Sequence, residues 1–256
     1  MKLTEAFDIK SGLVVSFVGG GGKSTAMWTL ARELKEAGEK VLVTTTTKIF
    51  WPEEGQADKV LLSNKCGQLK KLLAEAPGGK IITAGTAKKS EKLHGILPGQ
   101  VCELKKLKNI TILVEADGSA RKPFKAPAEY EPVVPDCTDV IVAVVGLDIL
   151  GRALTEENVH RLKQVKEITG LHEGDIIGPK AIAKVLVSPC GYRRQDIIPE
   201  GSRWIVLLNK MDKCKDEEKL RELVKILLNS PQPPARVVGS AFYRGINKIK
   251  ILQYHN

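Results

Sequence analysis

Aromatic residues are scarce in this chain, although basic residues are abundant. Phe, Trp and Tyr make up 5% of the 256 residues, and the formal net charge is +10. Proteins that bind RNA or single-stranded DNA interleave basic clusters with aromatic side chains on which the bases stack. The composition therefore argues against nucleic acid as a partner. A solvated surface with a few phosphate-facing side chains accounts for the charge.

Long apolar runs are missing as well. The longest, such as residues 140–147, are far shorter than the roughly 20 residues that a membrane-spanning helix needs. The N-terminal segment contains acidic side chains and no apolar core, so it does not have the pattern of a secretory signal. We therefore expect a cytoplasmic protein with no membrane association.

Closely spaced cysteines are missing from the sequence as well. An odd and scattered set of cysteines, with no Cys-x-x-Cys pair, is typical of reduced thiols in a cytosolic protein. We therefore expect neither a disulfide nor a zinc site from the five cysteines, which are Cys66, Cys102, Cys137, Cys190 and Cys214.

The rest of the sequence alternates apolar runs of strand length with segments of helical periodicity. Helices are predicted over residues 24–37, 68–74 and 216–228, with Asp216 as the N-cap of the last. Strands are predicted at residues 13–18, 41–45, 59–62, 80–83, 111–115, 140–145, 204–208, 236–238 and, as an edge strand, 247–254. The alternation predicts an α/β fold with a doubly wound, mainly parallel sheet. The length fits a single domain over residues 1–256, with a small helical insertion at about 151–201 that is rich in charge, Gly and Pro.

A glycine-rich turn follows the first predicted strand and opens the first predicted helix. Backbone N–H groups in such a turn converge on an anion, and the helix dipole adds to the attraction. Lys23 is predicted to reach the β- and γ-phosphates of a nucleotide, and Ser24 is predicted to hold Mg²⁺. The predicted phosphate-binding residues are Gly19, Gly20, Gly21, Gly22, Lys23, Ser24 and Thr25.

This turn departs from the commonest phosphate-binding pattern. Phe17 stands where the pattern G-x-x-x-x-G-K-[ST] has its first glycine. The match is better to the variant K-G-G-x-G-K-[ST]-T of the ArsA, MinD and nitrogenase-iron-protein class. Val18 replaces the extra lysine of that variant, so another group must supply that lysine's role in stabilising the transition state.

A second turn, with the sequence Asn-Lys-Met-Asp at residues 209–212, follows another apolar run. The Asp212 carboxylate can accept hydrogen bonds from N1–H and the exocyclic amino group of guanine, whereas adenine offers neither donor. The motif thus predicts GTP as the ligand, with ATP as the alternative, although four residues can also be an ordinary loop before a helix. A Gly-Ser-Ala segment at residues 239–241 resembles the loop that backs the base in GTPases. The predicted base-binding residues are Asn209, Lys210, Asp212, Ser240 and Ala241.

Two acidic residues lie at and just beyond the end of the strand predicted at residues 111–115. In phosphate-binding-loop proteins, a carboxylate at this point holds Mg²⁺ through water. We expect Glu115 and Asp117 to organise Mg²⁺ together with Ser24, and Asp117 to orient the attacking water. Lys23, Glu115 and Asp117 are therefore the predicted catalytic residues. The simpler alternative is a polar strand end.

Two further features allow more than one interpretation. Residues 44–47 are four threonines at the end of the second predicted strand. Threonine is a good strand former, yet the length of the run favours a cluster of ligand-facing hydroxyls. His160 could be an acid, a base or a substrate contact, or a hydrogen-bonded structural histidine.

Together these segments resemble the YqeC family over nearly the whole chain. The most specific of them is VEADGSARKPFKAP at residues 114–127. The resemblance is carried by residues 17–25, 43–47, 92–95, 114–127, 145–152, 158–161 and 207–212. It implies a P-loop NTPase of the signal-recognition and metallochaperone type, acting as an accessory factor for selenium-dependent molybdenum hydroxylases. Such a hydroxylase or its cofactor precursor is the implied partner, and a homodimer is expected by analogy alone.

Three functions stay open on the sequence alone. The first is a GTP-binding, GTP-hydrolysing maturation factor. The second is a kinase or nucleotidyl-transfer enzyme acting on a small anionic cofactor precursor. It is suggested by the charged loop at residues 117–125 and by Asp148 and His160. The third is a nucleotide-sensing module without turnover, in which Lys23 serves binding only.

Overall fold

Helices and strands alternate along the chain, as seen in a computed structural model that describes residues 1–243 and 246–253. The helices are α1 (Leu3–Ala6), α2 (Lys23–Glu36), α3 (Cys66–Glu75), α4 (Pro98–Lys105), α5 (Leu162–Thr169), α6 (Pro179–Val187) and α7 (Glu217–Leu228), and short 3-10 helices cover Leu147–Ile149 and Met211–Lys213. The strands are β1 (Val14–Gly19), β2 (Lys40–Thr45), β3 (Lys48–Phe50), β4 (Lys59–Leu62), β5 (Lys80–Gly85), β6 (Ala87–Lys89), β7 (Lys92–His94), β8 (Thr111–Glu115), β9 (Phe124–Lys125), β10 (Val140–Gly146), β11 (Val159–His160), β12 (Arg203–Asn209), β13 (Arg236–Tyr243) and β14 (Ile246–Ile251). Within the described ranges, no helix combines the length and the apolar character needed to cross a membrane.

Nine strands form the main sheet, in the order β14-β13-β12-β10-β1-β8-β2-β5-β4. Neighbouring strands are parallel throughout, except for the antiparallel pair β13 and β14 at one edge. The predicted α/β fold with a mainly parallel sheet is confirmed. Because parallel strands end on the same side, the loops after β1, β8, β10 and β12 come together there.

Both faces of the main sheet are buried. In β10, Ile141 and Val145 pack into a hydrophobic cluster that includes residues of α5, α6 and α7. Val142 and Val144 of the same strand pack into a second cluster, which includes residues of α1 and α2. Alternate side chains of a strand point to opposite faces, so a sheet covered on both faces needs continuously apolar strands.

The predicted strands of the main sheet are found, with changed boundaries. The largest change is in β13, which continues to Tyr243. Residues 239–241 were predicted as a loop, and that prediction is wrong because Ser240 pairs with Ile249 of β14 inside the strand. The predicted edge strand is β14, and Tyr254, its predicted last residue, lies outside the described residues.

A small antiparallel sheet, in the order β3-β7-β6, was not predicted. Each of its strands has three residues, and lysines interrupt any apolar pattern in them. β3 follows β2 and β6 follows β5, so the small sheet lies beyond the carboxyl ends of these two neighbouring strands. It thereby forms a wall next to the glycine-rich turn.

The segment predicted as an insertion, at about residues 151–201, contains α5, α6 and β11. β11 pairs in parallel with β9, which belongs to the loop after β8. Ile182 and Leu186 of α6 belong to the same hydrophobic cluster as the inner residues of β10 and β12. The segment therefore shares its core with the main sheet.

One disulfide joins α4 to the loop before β10. The Cα atoms of Cys102 and Cys137 are 5.4 Å apart, and the two sulfurs are bonded. The expectation that all five cysteines are reduced is therefore wrong for this pair. The two residues are separated by 35 positions, so only the tertiary fold brings them together.

Candidate functional site

The glycine-rich turn lies between β1 and α2 and fits tightly against its neighbours. Gly21 and Gly22 have φ angles of +78° and +124°, which residues with a side chain rarely adopt. A Cβ atom at Gly21 would lie 2.1 Å from the Gly146 nitrogen, and one at Gly22 would lie 2.2 Å from Asn209 Nδ2. The end of β10 and the Asn209 side chain therefore require glycine at these two positions.

Three backbone amides of the turn have acceptors within the protein. Gly19 N–H donates to Asp117 Oδ2 (3.1 Å), Gly20 N–H donates to Val144 O (2.9 Å) and Gly21 N–H donates to Lys122 O (2.9 Å). The amides of Lys23, Ser24 and Thr25 belong to the first turn of α2, where N–H groups have no intrahelical acceptor. An anion would therefore bind at the start of α2, where the helix dipole also attracts it.

Lys23 is buried beneath the turn among acidic groups. Its Nζ donates to Gly19 O at 2.7 Å and lies 3.1 Å from Asp117 Oδ1 and 3.7 Å from Glu115 Oε1. Burial by itself would lower the pKa of Lys23, but the charges of Asp117 and Glu115 raise it above the usual lysine value. The ammonium group is therefore charged at neutral pH.

Ser24 and Glu115 meet at the carboxyl end of β8. Ser24 Oγ donates to Glu115 Oε2 at 2.7 Å. Burial raises the pKa of Glu115, although Lys23 and the bond from Ser24 act against the rise. A hydroxyl and a carboxylate side by side are the oxygen ligands that Mg²⁺ prefers. Within the described part of the chain, no group of three or more His, Cys, Asp or Glu side chains could hold a metal ion by itself.

Asp117, the third residue predicted to organise Mg²⁺, lies inside the protein with no exposed surface. Its Oδ2 accepts hydrogen bonds from Gly19 N–H at 3.1 Å and from the Tyr192 hydroxyl at 3.0 Å, and lies 2.9 Å from Lys125 Nζ. Burial would raise the pKa of Asp117, but Lys23 and Lys125 hold it below the usual aspartate value. Through its hydrogen bond with the Gly19 amide, Asp117 fixes the position of the glycine-rich turn.

Asp117 belongs to a buried ion network that no sequence pattern indicated. Lys125 Nζ also lies 3.1 Å from Glu131 Oε2, and Arg161 pairs with the same carboxylate. Burial, followed by the charge of Asp117, raises the pKa of Tyr192 well above the usual tyrosine value, so its hydroxyl keeps its proton. The family resemblance could have pointed to this network, because its segments include Lys125 and Arg161.

Asn209 connects the two predicted nucleotide-binding turns directly. Its Nδ2 donates to Gly21 O at 2.8 Å, and its Oδ1 accepts from the Ser240 hydroxyl at 3.0 Å. Asn209 and Ser240 are both buried. Lys210, the next residue, has a left-handed backbone with φ of +59°, and its Nζ lies 2.7 Å from Asp148 Oδ2.

Asp212 lies further out, in the 3-10 helix after β12, and is exposed. Its Oδ2 is 3.6 Å from Lys213 Nζ. Beside it is a depression of about 490 Å³, with Lys210, Asp148 and Gly151 among its lining residues. Ala241, also predicted to back the base, is buried in β13. The structure thus brings Asn209 and Lys210 next to the glycine-rich turn, with Ser240 bonded to Asn209. Asp212 is exposed and is not among the residues that line this depression.

The threonine run is mainly structural. The hydroxyls of Thr44, Thr45 and Thr46 donate to the backbone carbonyls of Ala84, Glu115 and Val133, at 2.8, 2.6 and 2.6 Å. These bonds fasten the end of β2 to the neighbouring segments. The expectation of a ligand-facing hydroxyl cluster is therefore wrong for these three residues.

His160 has the environment of a structural residue. It pairs with Lys125 in the short ladder between β11 and β9. Burial, together with the positive charges of Lys125 and Arg161, lowers the pKa of His160. The side chain is therefore neutral at physiological pH, and it does not line the cleft beside the glycine-rich turn.

A cleft of about 1100 Å³ opens beside the glycine-rich turn. One end holds Lys23, Ser24 and Glu115. The other is formed by the small sheet and by the loop at residues 118–121. Sequence analysis missed the residues at this second end, because the small sheet itself was not predicted. They include Lys48, Phe50, Trp51 and Lys92, whereas Arg121 lies in the charged loop at residues 117–125 that the sequence indicated.

Comparison with known proteins agrees with the resemblance seen in the motifs. The family model described as YqeC protein matches residues 15–163. The YqeC protein of Escherichia coli (strain K12) is 31% identical over 215 residues, which cover 84% of this chain and 82% of that protein. No solved structure matches the chain. The chain therefore belongs to the YqeC family.

Proposed function

We propose that the protein binds GTP with Mg²⁺ and hydrolyses it. The observation that carries the proposal is the hydrogen bond from Asn209 Nδ2 to Gly21 O, 2.8 Å long. It joins a turn suited to phosphates to a turn suited to guanine. The two turns follow β1 and β12, which end on the same side of the sheet with only β10 between them. This proximity supports a single nucleotide that contacts both turns.

The phosphates are assigned to the start of α2. Lys23 and the amides of Lys23, Ser24 and Thr25 provide the positive charge and the donors. To contact phosphate, Lys23 Nζ must exchange its bond to Gly19 O for one to the ligand.

The metal is assigned to Ser24 and Glu115. These two side chains would supply two of the oxygen ligands that Mg²⁺ requires. Bound Mg²⁺ supplies charge neutralisation for the reacting phosphates. Asp117 acts through the backbone by holding the Gly19 amide and, with Lys125, by fixing the charge beneath the turn.

Guanine is assigned to Asp212, with Asn209, Ser240 and Ala241 holding the floor of the site. The exposed carboxylate would accept two hydrogen bonds that adenine cannot donate. A bound base would cover this carboxylate, and a covered acceptor left without its partners costs about 1–3 kcal/mol, so GTP is preferred over ATP.

The cellular role is proposed from the family resemblance alone. We propose that the protein serves the maturation of selenium-dependent molybdenum hydroxylases in the cytoplasm. Its partner would be such a hydroxylase or its cofactor precursor, and homodimerisation stays a proposal by analogy.

Titration with fluorescent GTP and ATP tests the proposal. The wild type should bind GTP at least about tenfold more tightly than ATP, and Asp212→Ala should remove that difference. Glu218→Ala, which removes an exposed acid from α7, is the matched control and should keep it. Equal affinity for both nucleotides in the wild type would refute guanine selection.

A second candidate function is phosphoryl or nucleotidyl transfer to a small anion. The observation that favours it is the size of the cleft, which continues from Lys23 to the small sheet. Mass spectrometry should then find phosphate or nucleotide on a small acceptor. The absence of any labelled product across candidate molybdopterin precursors would argue for hydrolysis instead.

A further inference from the structure

Four basic side chains line the cleft away from the start of α2. They are Arg32, Lys48, Lys92 and Arg121, and we call them the basic wall. None of them forms an ion pair with a described residue, whereas Lys23 and Lys210 in the same cleft are both paired with acids. Two acids, Glu53 and Glu91, line this end as well. Among the described residues the four bases outnumber the two acids, so this end of the cleft carries an excess of positive charge.

Arg121 is held in this cleft by an unusual turn. Lys122 N–H donates to Ser119 O at 2.9 Å, and the two central residues, Ala120 and Arg121, have φ angles of +48° and +61°. Left-handed backbone at both centres is the geometry in which Asn and Gly are preferred. Residues with a Cβ persist there only where the surroundings hold them, and such strain gathers at functional sites.

Contacts on both sides hold this turn in place. The Arg121 guanidinium stacks over the Phe50 ring, with Cζ 4.3 Å from the ring centroid, and Lys92 Nζ lies 5.5 Å from the same centroid. At the other end, Lys122 O accepts from Gly21 N–H at 2.9 Å. Arg121 is thus fixed between the glycine-rich turn and the small sheet. A guanidinium over an aromatic ring can still direct its N–H groups at an oxyanion.

We propose that the basic wall binds a second ligand, a small molecule with at least two oxyanion groups, while a nucleotide occupies the glycine-rich turn. The base site at Asn209 and Asp212 and the basic wall flank the start of α2. The wall is therefore available for a ligand other than the nucleotide. The role of that ligand as acceptor rests on the proposed function, but its binding does not.

Fluorescence anisotropy with pyrene tetrasulfonate as the probe tests this proposal. The probe is a flat polyanion, and a neutral pyrene alcohol separates the effect of charge from that of ring stacking. The double variant Lys92→Ala/Arg121→Ala should weaken probe binding at least about tenfold, as expected for the loss of two charged contacts. Lys71→Ala/Lys89→Ala removes the same charge from exposed positions outside the cleft and should change binding less than about twofold.

The probe should bind both the free protein and protein saturated with Mg²⁺ and a non-hydrolysable GTP analogue. Displacement of the probe by the analogue, loss of probe binding in Lys23→Ala, or equal affinities in the two double variants would each overturn the proposal. So would neutral pyrene binding as tightly as the probe. If the protein binds no nucleotide, probe binding that still depends on Lys92 and Arg121 supports the second site while refuting the proposed GTPase.

Discussion

At the scale of single residues, the main result is the position of Asp117. The sequence pattern marks it as an acid just beyond a buried strand, and that pattern fits a metal ligand. The side chain instead turns inward and contacts Lys23, Lys125 and Gly19. This orientation could not be foreseen, because Lys125 and Tyr192 reach Asp117 only through the pairing of β9 with β11 and the packing of the segment before β12.

Asp117 should therefore matter for stability. Asp117→Ala leaves Lys23 and Lys125 buried without one shared partner, and breaking a buried pair in this way costs about 3–5 kcal/mol. Urea denaturation should show a loss of that size. Asp212→Ala, at an exposed position, should change the free energy of unfolding by no more than about 0.5 kcal/mol. Equal small losses in both variants would contradict the proposed role of Asp117.

The same residue predicts a dependence on pH. Because the pKa of Asp117 is lower in the folded protein than in the unfolded chain, its stabilisation is present above the unfolded value of about 4. This contribution to the free energy of unfolding is lost as the pH falls through the lower pKa that Asp117 has in the folded protein. Urea denaturation at a series of pH values should show that the difference in free energy of unfolding between wild type and Asp117→Asn becomes smaller below about pH 4. A gap that widens in acid would contradict this sign.

At the scale of elements, long apolar strands were predictable and short polar ones were not. β8 and β12 are buried runs whose apolar character marks them without any tertiary information. Each strand of the small sheet has only three residues, and the sheet depends on the tertiary fold, which brings the ends of β2 and β5 together. The part of the cleft that this sheet forms, with Lys48 and Phe50, was missed for that reason.

The glycine-rich turn gives a prediction at this scale. Gly22→Ala would place a methyl group 2.2 Å from Asn209 Nδ2 at a φ of +124°, so it should break the bond between Asn209 and Gly21. Gly38 also has positive φ, at +83°, but a Cβ there meets nothing within 4 Å. Thermal melts should show only the left-handed penalty of about 1–2 kcal/mol for Gly38→Ala and a larger loss for Gly22→Ala. GTP binding should weaken in Gly22→Ala alone, and similar behaviour of the two variants would argue against the packing of the turn.

At the scale of the whole molecule, topology decides whether the two turns can share a ligand. Residues 19–25 and 209–212 are almost 200 positions apart, and no local pattern states their distance. Parallel strands made a common side plausible, because sheets of this class bind ligands at the carboxyl ends of their strands. The contact through Asn209 could be recognised only once the strand order was known, in which β10 separates β1 from β12.

The disulfide is also a property of the whole fold, and it predicts a thiol count. Unfolded protein without reductant should show three reactive thiols, those of Cys66, Cys190 and Cys214. After reduction all five should react, and stability should fall by about 3–4 kcal/mol, as the chain-entropy model gives for a loop of this length. Five reactive thiols before reduction would show that Cys102 and Cys137 are not bonded.

The most direct measurement is a crystal structure of the protein with a non-hydrolysable GTP analogue and Mg²⁺. The triphosphate should lie at the start of α2, in contact with Lys23, with the metal beside Ser24 and Glu115 and the guanine against Asp212. Electron density for a nucleotide whose base and phosphates lie outside these two turns would contradict the central claim.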